Sequence, residues 1–213
     1  VRAGVVYHND TGSFILGIFS LDGKRKLGMA NRSMNTTFDK ENLDSLALQW
    51  TRASWNAGLH TQVEWLGVPI LQCPNDLLLI QELIVRRRPT VIIETGTHLG
   101  GTALFYASLM HMLGINGEVI TIDCTIGQEV RNNVCAWPFA GRIIMVEGSS
   151  LSPTVHEMIC QRLGPNDKIL VCLDSDHTCD HVLQELRLFS RYCRAGDYLV
   201  VFDTIMAYLY DAP

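Results

Sequence analysis

Between residues 90 and 203, five short apolar runs alternate with longer stretches of helical period, and that alternation leaves the chain few architectures. The runs cover residues 90–94, 118–123, 142–146, 168–174 and 198–203. They are rich in Val, Ile and Leu, as strands buried on both faces are. Residues 102–113, 126–135, 152–164 and 178–193 read as helices. Gly114 closes the first, Ser152-Pro153 opens the third with a cap and a proline at its first position, and Gly196 follows the last. In the last of them Val182, Leu186, Phe189 and Cys193 share one face. An earlier helix, capped by Asp76 and running through Arg87 to Pro89, leads into the first strand. Units connected in this way predict an α/β fold with a doubly wound, mostly parallel sheet.

Residues 1–70 follow no such pattern and read as an N-terminal extension to a domain over residues 71–213. Residues 5–7 and 14–19 flank Asn9-Asp10-Thr11-Gly12, a turn signal that suggests a hairpin. Residues 43–57 suggest a helix, and Trp65-Leu66-Gly67-Val68-Pro69 breaks it. The extension is expected to cover a site or to build a homo-oligomer contact. A formal charge of −5 argues against a nucleic-acid partner. The basic cluster Arg86-Arg87-Arg88 sits where cations complement a helix C-terminus, so a solvated turn is expected there. No apolar run approaches the roughly 20 residues of a membrane span, and no membrane partner is expected. Seven cysteines without a C-x-x-C pair point to a reducing compartment, the cytoplasm.

Acidic residues end all five strands or directly follow them: Glu94, Asp123, Glu147, Asp174 and Asp203. In doubly wound sheets ligands collect beyond those carboxyl ends, near the point where strand order reverses. Glu94-Thr95-Gly96-Thr97-His98-Leu99-Gly100-Gly101 joins the first strand to a helix; its glycines allow close approach of a ligand to the backbone. The spacing is not G-x-G-x-x-G, which disfavours a dinucleotide. It resembles instead the first S-adenosylmethionine (SAM) motif of class I methyltransferases. Asp123 is placed to accept ribose hydroxyls, and Gly148-Ser149 follows the third strand where adenine is framed. Glu94, Gly96, Thr97, Gly100, Gly101, Asp123, Gly148 and Ser149 are therefore the candidate cofactor residues. His98 in the loop reads as orienting the turn.

A second constellation is Asp174-Ser175-Asp176-His177 with Asp203 on the adjacent strand. Asp174 and Asp203 can converge on one hard cation, for which Mg²⁺ is suited. Such a cation lowers the pKa of a bound hydroxyl. His177 or Asp176 would then take the proton. The competing reading is that Asp176 or Ser175 caps the following helix. His177 and His181, four apart, match a zinc spacing, but no third soft ligand accompanies them.

On these residues the chain resembles the rhamnosyl O-methyltransferase and cephalosporin-hydroxylase family. The matching segments are Gly67-Val68-Pro69, residues 94–101, residues 147–150, Leu173 to His177 with His181-Val182-Leu183, and residues 196–204. The resemblance implies a class I methyltransferase-like Rossmann fold and SAM-dependent, Mg²⁺-assisted O-methyl transfer to a sugar or natural-product hydroxyl. Asp174 would be a metal ligand and His177 the general base. Relatives commonly carry Glu-Asp where this chain has Phe202-Asp203, so one carboxylate is missing from the implied metal shell. They also add a helix and two strands after the fifth, so the fifth strand is expected to present a free edge prone to association. The alternatives are a SAM-binding role in β-lactam hydroxylation and a non-catalytic SAM-binding or assembly protein.

Overall fold

A computed structural model describes residues 17–20 and 40–204. The elements in order are β1 (Gly17–Ser20), α1 (Lys40–Asn56), β2 (Glu64–Trp65), β3 (Val68–Pro69), α2 (Pro74–Arg87), β4 (Val91–Thr95), α3 (Gly101–Met112), β5 (Glu118–Asp123), α4 (Gln128–Cys135), β6 (Ile143–Glu147), α5 (Pro153–Arg162), β7 (Ile169–Leu173), α6 (Cys179–Phe189) and β8 (Tyr198–Val201). Six strands form one sheet in the order β1-β8-β7-β4-β5-β6. The five expected strands are all parallel; β1 is antiparallel to β8. Order runs outward from β4 through β5 to β6, then restarts on the other side with β7, so the reversal lies between β4 and β7.

Alternation along the strands divides the core into two layers. Ile92, Val119, Ile143, Leu170, Cys172 and Val200 pack with α2, α3 and Val134 of α4 on one face. Ile93, Ile120, Ile122, Val171, Leu173 and Leu199 pack with Val155 and Ile159 of α5 and Phe189 of α6 on the other. Helices on both faces make the sheet doubly wound. Helix α3 is buried almost all round, from Gly101 to Met110, which suits its mostly apolar composition and its place against the sheet centre.

Several local expectations change. Helix α2 begins at Pro74 with Cys73 at its cap, and Asp76 lies inside the first turn. Proline's fixed φ favours that first position, which moves the start ahead of the acid. The segment Trp65-Leu66-Gly67-Val68 is a tight hairpin rather than a simple break: β2 pairs β3, and Leu66 and Gly67 both take positive φ (56° and 78°). Both central residues at positive φ is the pattern of a type I′ turn. Trp65 Nε1 donates to Ser108 Oγ at 3.0 Å and its ring meets Phe105 edge-on, so the end of the extension is fastened to α3. The expected hairpin involving residues 5–7 lies outside the described residues. The free edge on β8 is not found. Gly17–Ser20 pairs with Val201–Tyr198 and satisfies that ladder.

The basic cluster is absorbed by the fold. Arg86 pairs with Glu82, Arg87 donates to the Tyr198 hydroxyl and stacks over its ring, and Arg88 donates to the Leu113 carbonyl at 2.8 Å. All seven cysteines are free. Among the described residues no helix is long and apolar enough to cross a membrane.

Candidate functional site

The loop between β4 and α3 reaches its position through two very close backbone approaches. Gly96 (φ +86°) lies so near the start of the β7 loop that a Cβ would sit 2.0 Å from the Asp174 carbonyl oxygen. Gly101 approaches Pro69 of β3 in the same way, at 2.2 Å from its carbonyl oxygen. Asp123, at the end of β5, ties the loop down: its Oδ2 accepts the N–H of Thr97 at 2.9 Å and of His98 at 3.2 Å. The Asp123 carbonyl accepts the N–H of Gly148 at 2.8 Å, which joins the β6 loop to the same point. Together these loops surround a cavity of about 470 Å³ at the strand carboxyl ends, beside the β4/β7 reversal.

Of the expected cofactor residues, Gly96, Thr97, Gly101, Asp123, Gly148 and Ser149 line this cavity. Glu94 and Gly100 do not. Glu94 is fully buried beneath the loop, where Thr121 Oγ1 donates to its Oε2 at 2.6 Å and Thr121 in turn meets Thr97 Oγ1 at 2.7 Å. Gly100 faces Val130 and Val134 of α4. Both serve the loop's support. Glu147 also stays out of the cavity and pairs with Arg131 at 3.2 Å.

Burial holds the Glu94 carboxyl well above its ordinary range, at about 8; Asp123 pushes it the same way and the Thr121 hydrogen bond opposes. Its folded pKa exceeds the unfolded value near 4.5, so the folded state holds the extra proton between the two. Stability from this group is therefore full at pH 4 and declines as pH rises to about 8, by a few kcal/mol at roughly 1.36 kcal/mol per unit. Glu94→Gln keeps an acceptor for Thr121 without that titration. Urea unfolding should find its advantage over wild type growing from pH 5 to pH 8, whereas a constant difference would mean Glu94 does not titrate as a buried acid.

The second constellation assembles on the same wall. One ligand atom each from Asp174, His177 and Asp203 lies within 4.8 Å of the others, with His177 Nε2 3.3 Å from Asp203 Oδ2. Asp203 is held at φ +53°, a strained conformation for a residue with a side chain. Burial raises the Asp174 carboxyl well above its ordinary range, and Asp203 and Glu94 add repulsion. Asp203 is raised by burial too, with His177 and then His60 opposing. Asp176 behaves differently. It is fully exposed, accepts the Thr178 N–H at 2.8 Å just ahead of α6, and is lowered by that bond. A lowered carboxylate is a poor base, so the geometry favours His177 in that role.

Sequence reasoning missed several neighbours. Gln72 Nε2 donates to Asp174 Oδ2 at 2.5 Å, from a side chain 2% exposed. Asp76 sits close enough to Asp203 that repulsion adds to burial in raising it to about 7. Gln72 Oε1 and Asp76 Oδ1 are buried acceptors with no protein donor. Neither residue carried a local signal beyond capping. Glu185 did: an acid beside the apolar stripe of α6 is unusual, and it is 1% exposed.

The parallel order, the reversal at β4/β7 and the glycine-loop cavity there define an open α/β fold of the class I methyltransferase type. The chain belongs to the rhamnosyl O-methyltransferase/CmcI family, whose model matches residues 57–212. A rhamnosyl O-methyltransferase of Mycobacterium tuberculosis is 32% identical over 166 residues, 76% of this chain and 64% of that protein. The chain thus spans just under two thirds of the length of this relative. Among solved structures, an apo form of CmcI superposes with TM-score 0.53 at 22% identity, covering 72% of this chain and 62% of that one. A CmcI form with Mg and SAM gives 0.51 at 20%, covering 70% and 60%.

Proposed function

We propose that this chain is the cofactor- and metal-binding part of a SAM-dependent O-methyltransferase that acts on a sugar or natural-product hydroxyl. The observation that carries the reading is the convergence of Asp174, His177 and Asp203 within 4.8 Å on the wall of the glycine-loop cavity. Kinship supports it: the relatives are named rhamnosyl O-methyltransferases, and one CmcI structure is described with Mg and SAM. The donor set suits Mg²⁺, because two partly buried carboxylates that repel one another are stabilised by a hard cation. Asp174 and Asp203 would hold it.

When bound, SAM supplies the electrophilic methyl and Mg²⁺ lowers the pKa of the acceptor hydroxyl. Gly96, Thr97 and Gly101 shape the cavity floor, while Asp123 accepts the ribose hydroxyls and keeps the loop in place. Orientation of this kind supplies much of a methyl-transfer rate. His177 would take the proton from the acceptor hydroxyl. Asp203, 3.3 Å from its Nε2, stabilises the imidazolium that results. Free cysteines suit a cytoplasmic protein.

A second reading, SAM binding in the service of β-lactam hydroxylation or assembly, draws on Phe202. Its side chain is 2% exposed and packs in the core, leaving two carboxylates rather than three at the end of the implied metal shell. Calorimetry tests the cofactor first. SAM and its demethylated product SAH should bind at the micromolar scale, roughly −8 kcal/mol, and NAD far more weakly. Asp123→Ala should weaken SAM by about 1–3 kcal/mol. Identical titrations for mutant and wild type would take Asp123 out of the site. A methyl-transfer assay with the full-length protein on deoxysugar glycosides then separates the two readings: tight SAM binding without transfer favours the second.

A further inference from the structure

On the cavity wall, the loop after β6 and the loop after β7 are joined by a polar group that none of the steps above uses; Ser150, Ser175 and His181 all line the cavity. His181, in the first turn of α6, brings one ring nitrogen to three oxygens. Its Nε2 lies 3.3 Å from Ser150 Oγ, 3.2 Å from Ser175 Oγ and 3.3 Å from Glu185 Oε1. Ser175 Oγ also donates to Glu185 Oε1 at 2.7 Å. Glu185 is 1% exposed and Ser150 6%, so the junction is built into the fold. The β6 loop is gripped a second time by α5, where His156 Nε2 meets the Ser150 carbonyl at 2.8 Å.

Serine, histidine and an acid together invite comparison with a nucleophilic relay. A relay places the acid on the ring nitrogen opposite the serine, so that a proton taken on one side is balanced on the other. Here serines and carboxylate all face Nε2. The arrangement cannot pass a proton through the ring. What it does is fix three chain segments against one point.

Those segments carry different ligands in the reading above. Ser150 follows Gly148 and Ser149, on the cofactor side of the cavity, while Ser175 separates Asp174 from Asp176 and His177 on the metal side. Resting on that cofactor and metal reading, we propose that His181, held by Glu185, is a positioning residue that couples the two half-sites, so that Mg²⁺ and the cofactor bind cooperatively. A cation that draws Asp174 and His177 into place repositions the β7 loop, and the contacts through Ser175, His181 and Ser150 carry that shift to the β6 loop. The cofactor then meets a β6 loop already set in the position that binds it. The coupling is reciprocal, so the cofactor tightens Mg²⁺ by the same factor.

The test is a set of SAH titrations by calorimetry, with and without Mg²⁺, on wild type, His181→Leu, His181→Gln and Ser150→Ala. In wild type Mg²⁺ should tighten SAH by about fivefold or more, the lower end of ordinary coupling. Whatever each substitution does to SAH affinity alone, that ratio should fall towards one in His181→Leu and in Ser150→Ala. It should persist in His181→Gln, whose amide nitrogen reaches the place of Nε2. A purely structural role would lower the affinities and leave the ratio intact. Ser150→Ala removes one hydroxyl only and keeps the test usable if His181→Leu does not fold. No SAH binding by wild type overturns the cofactor reading and the clamp with it. SAH binding with no Mg²⁺ dependence in wild type, or with the wild-type ratio in both His181→Leu and Ser150→Ala, overturns the clamp alone.

Discussion

Gly96→Ala should leave almost no folded protein. The added Cβ would lie 2.0 Å from the Asp174 carbonyl oxygen and 2.8 Å from its carbon, both backbone atoms that cannot swing aside. At φ +86° any side chain also carries the left-handed penalty, about 1 kcal/mol or more. Relief would require β4 and β7 to part at their carboxyl ends, where the Asp174 N–H bonds to the Thr95 carbonyl at 3.1 Å. The expected loss exceeds about 4–5 kcal/mol, the range reserved for a named structural failure, against a total of about 5–15 kcal/mol for a domain. Gly114→Ala isolates the backbone penalty, because that glycine has φ +60° and open space around it. Gly101→Ala isolates the contact, since its clash is with the Pro69 carbonyl oxygen and its φ is not positive. Denaturant unfolding should rank Gly114→Ala mildest and Gly96→Ala most severe. If Gly96→Ala unfolds alongside Gly114→Ala, the β4 loop does not press on the β7 loop as described.

That crowding also explains which parts of the site were legible beforehand. Glycine loops and strand-end acids sit at places that a parallel sheet fixes by itself. Asp123, Asp174 and Asp203 could therefore be placed from the five apolar runs alone. Depth was not legible. Glu94 and Gly100 belong to the same motif as Gly96 and Gly101, but the turn of the backbone points them away from the cavity, into the protein and against α4. The pairing of the edge strand was equally hidden: residues 14–19 read as one arm of a hairpin, not as the neighbour of β8. Gly17–Ser20 meets β8 across nearly the whole length of the chain, and four residues with no alternation carry no register of their own. Gln72 and Asp76 reach the site because the segment from β3 into α2 meets Asp174 and Asp203 just past the ends of β7 and β8, a contact that no local pattern encodes. Glu185 is the exception: reading the acid against the period of α6 would have found it.

Phe202 bears on how the metal site is to be tested. With its ring packed in the core, Phe202→Glu would bury a charge rather than simply return a ligand, so it is a poor probe of metal affinity. Asp174→Asn is the better one, and it should separate function from stability. Asp174 is raised well above its ordinary range by burial, Asp203 and Glu94, so ionising it costs the unliganded fold free energy as pH rises. An amide of the same shape still accepts from Gln72 and carries no charge. Near pH 8 the variant should therefore melt above the wild type in the absence of metal, with the gain shrinking towards pH 4 as the wild-type acid takes up its proton. Mg²⁺ binding should be lost by calorimetry, because the charge that repelled Asp203 is also the charge that attracts the cation. SAH binding without metal should change by no more than about 1 kcal/mol. Methyl transfer by the full-length protein should vanish. His177→Ala provides the contrast: as a general base it should keep Mg²⁺ and SAH and lose about 10²–10⁴ in turnover, whereas loss of Mg²⁺ with it would make His177 a ligand. An Asp174→Asn protein that still binds Mg²⁺ as tightly as wild type would remove this carboxylate, and the cluster built on it, from the metal site.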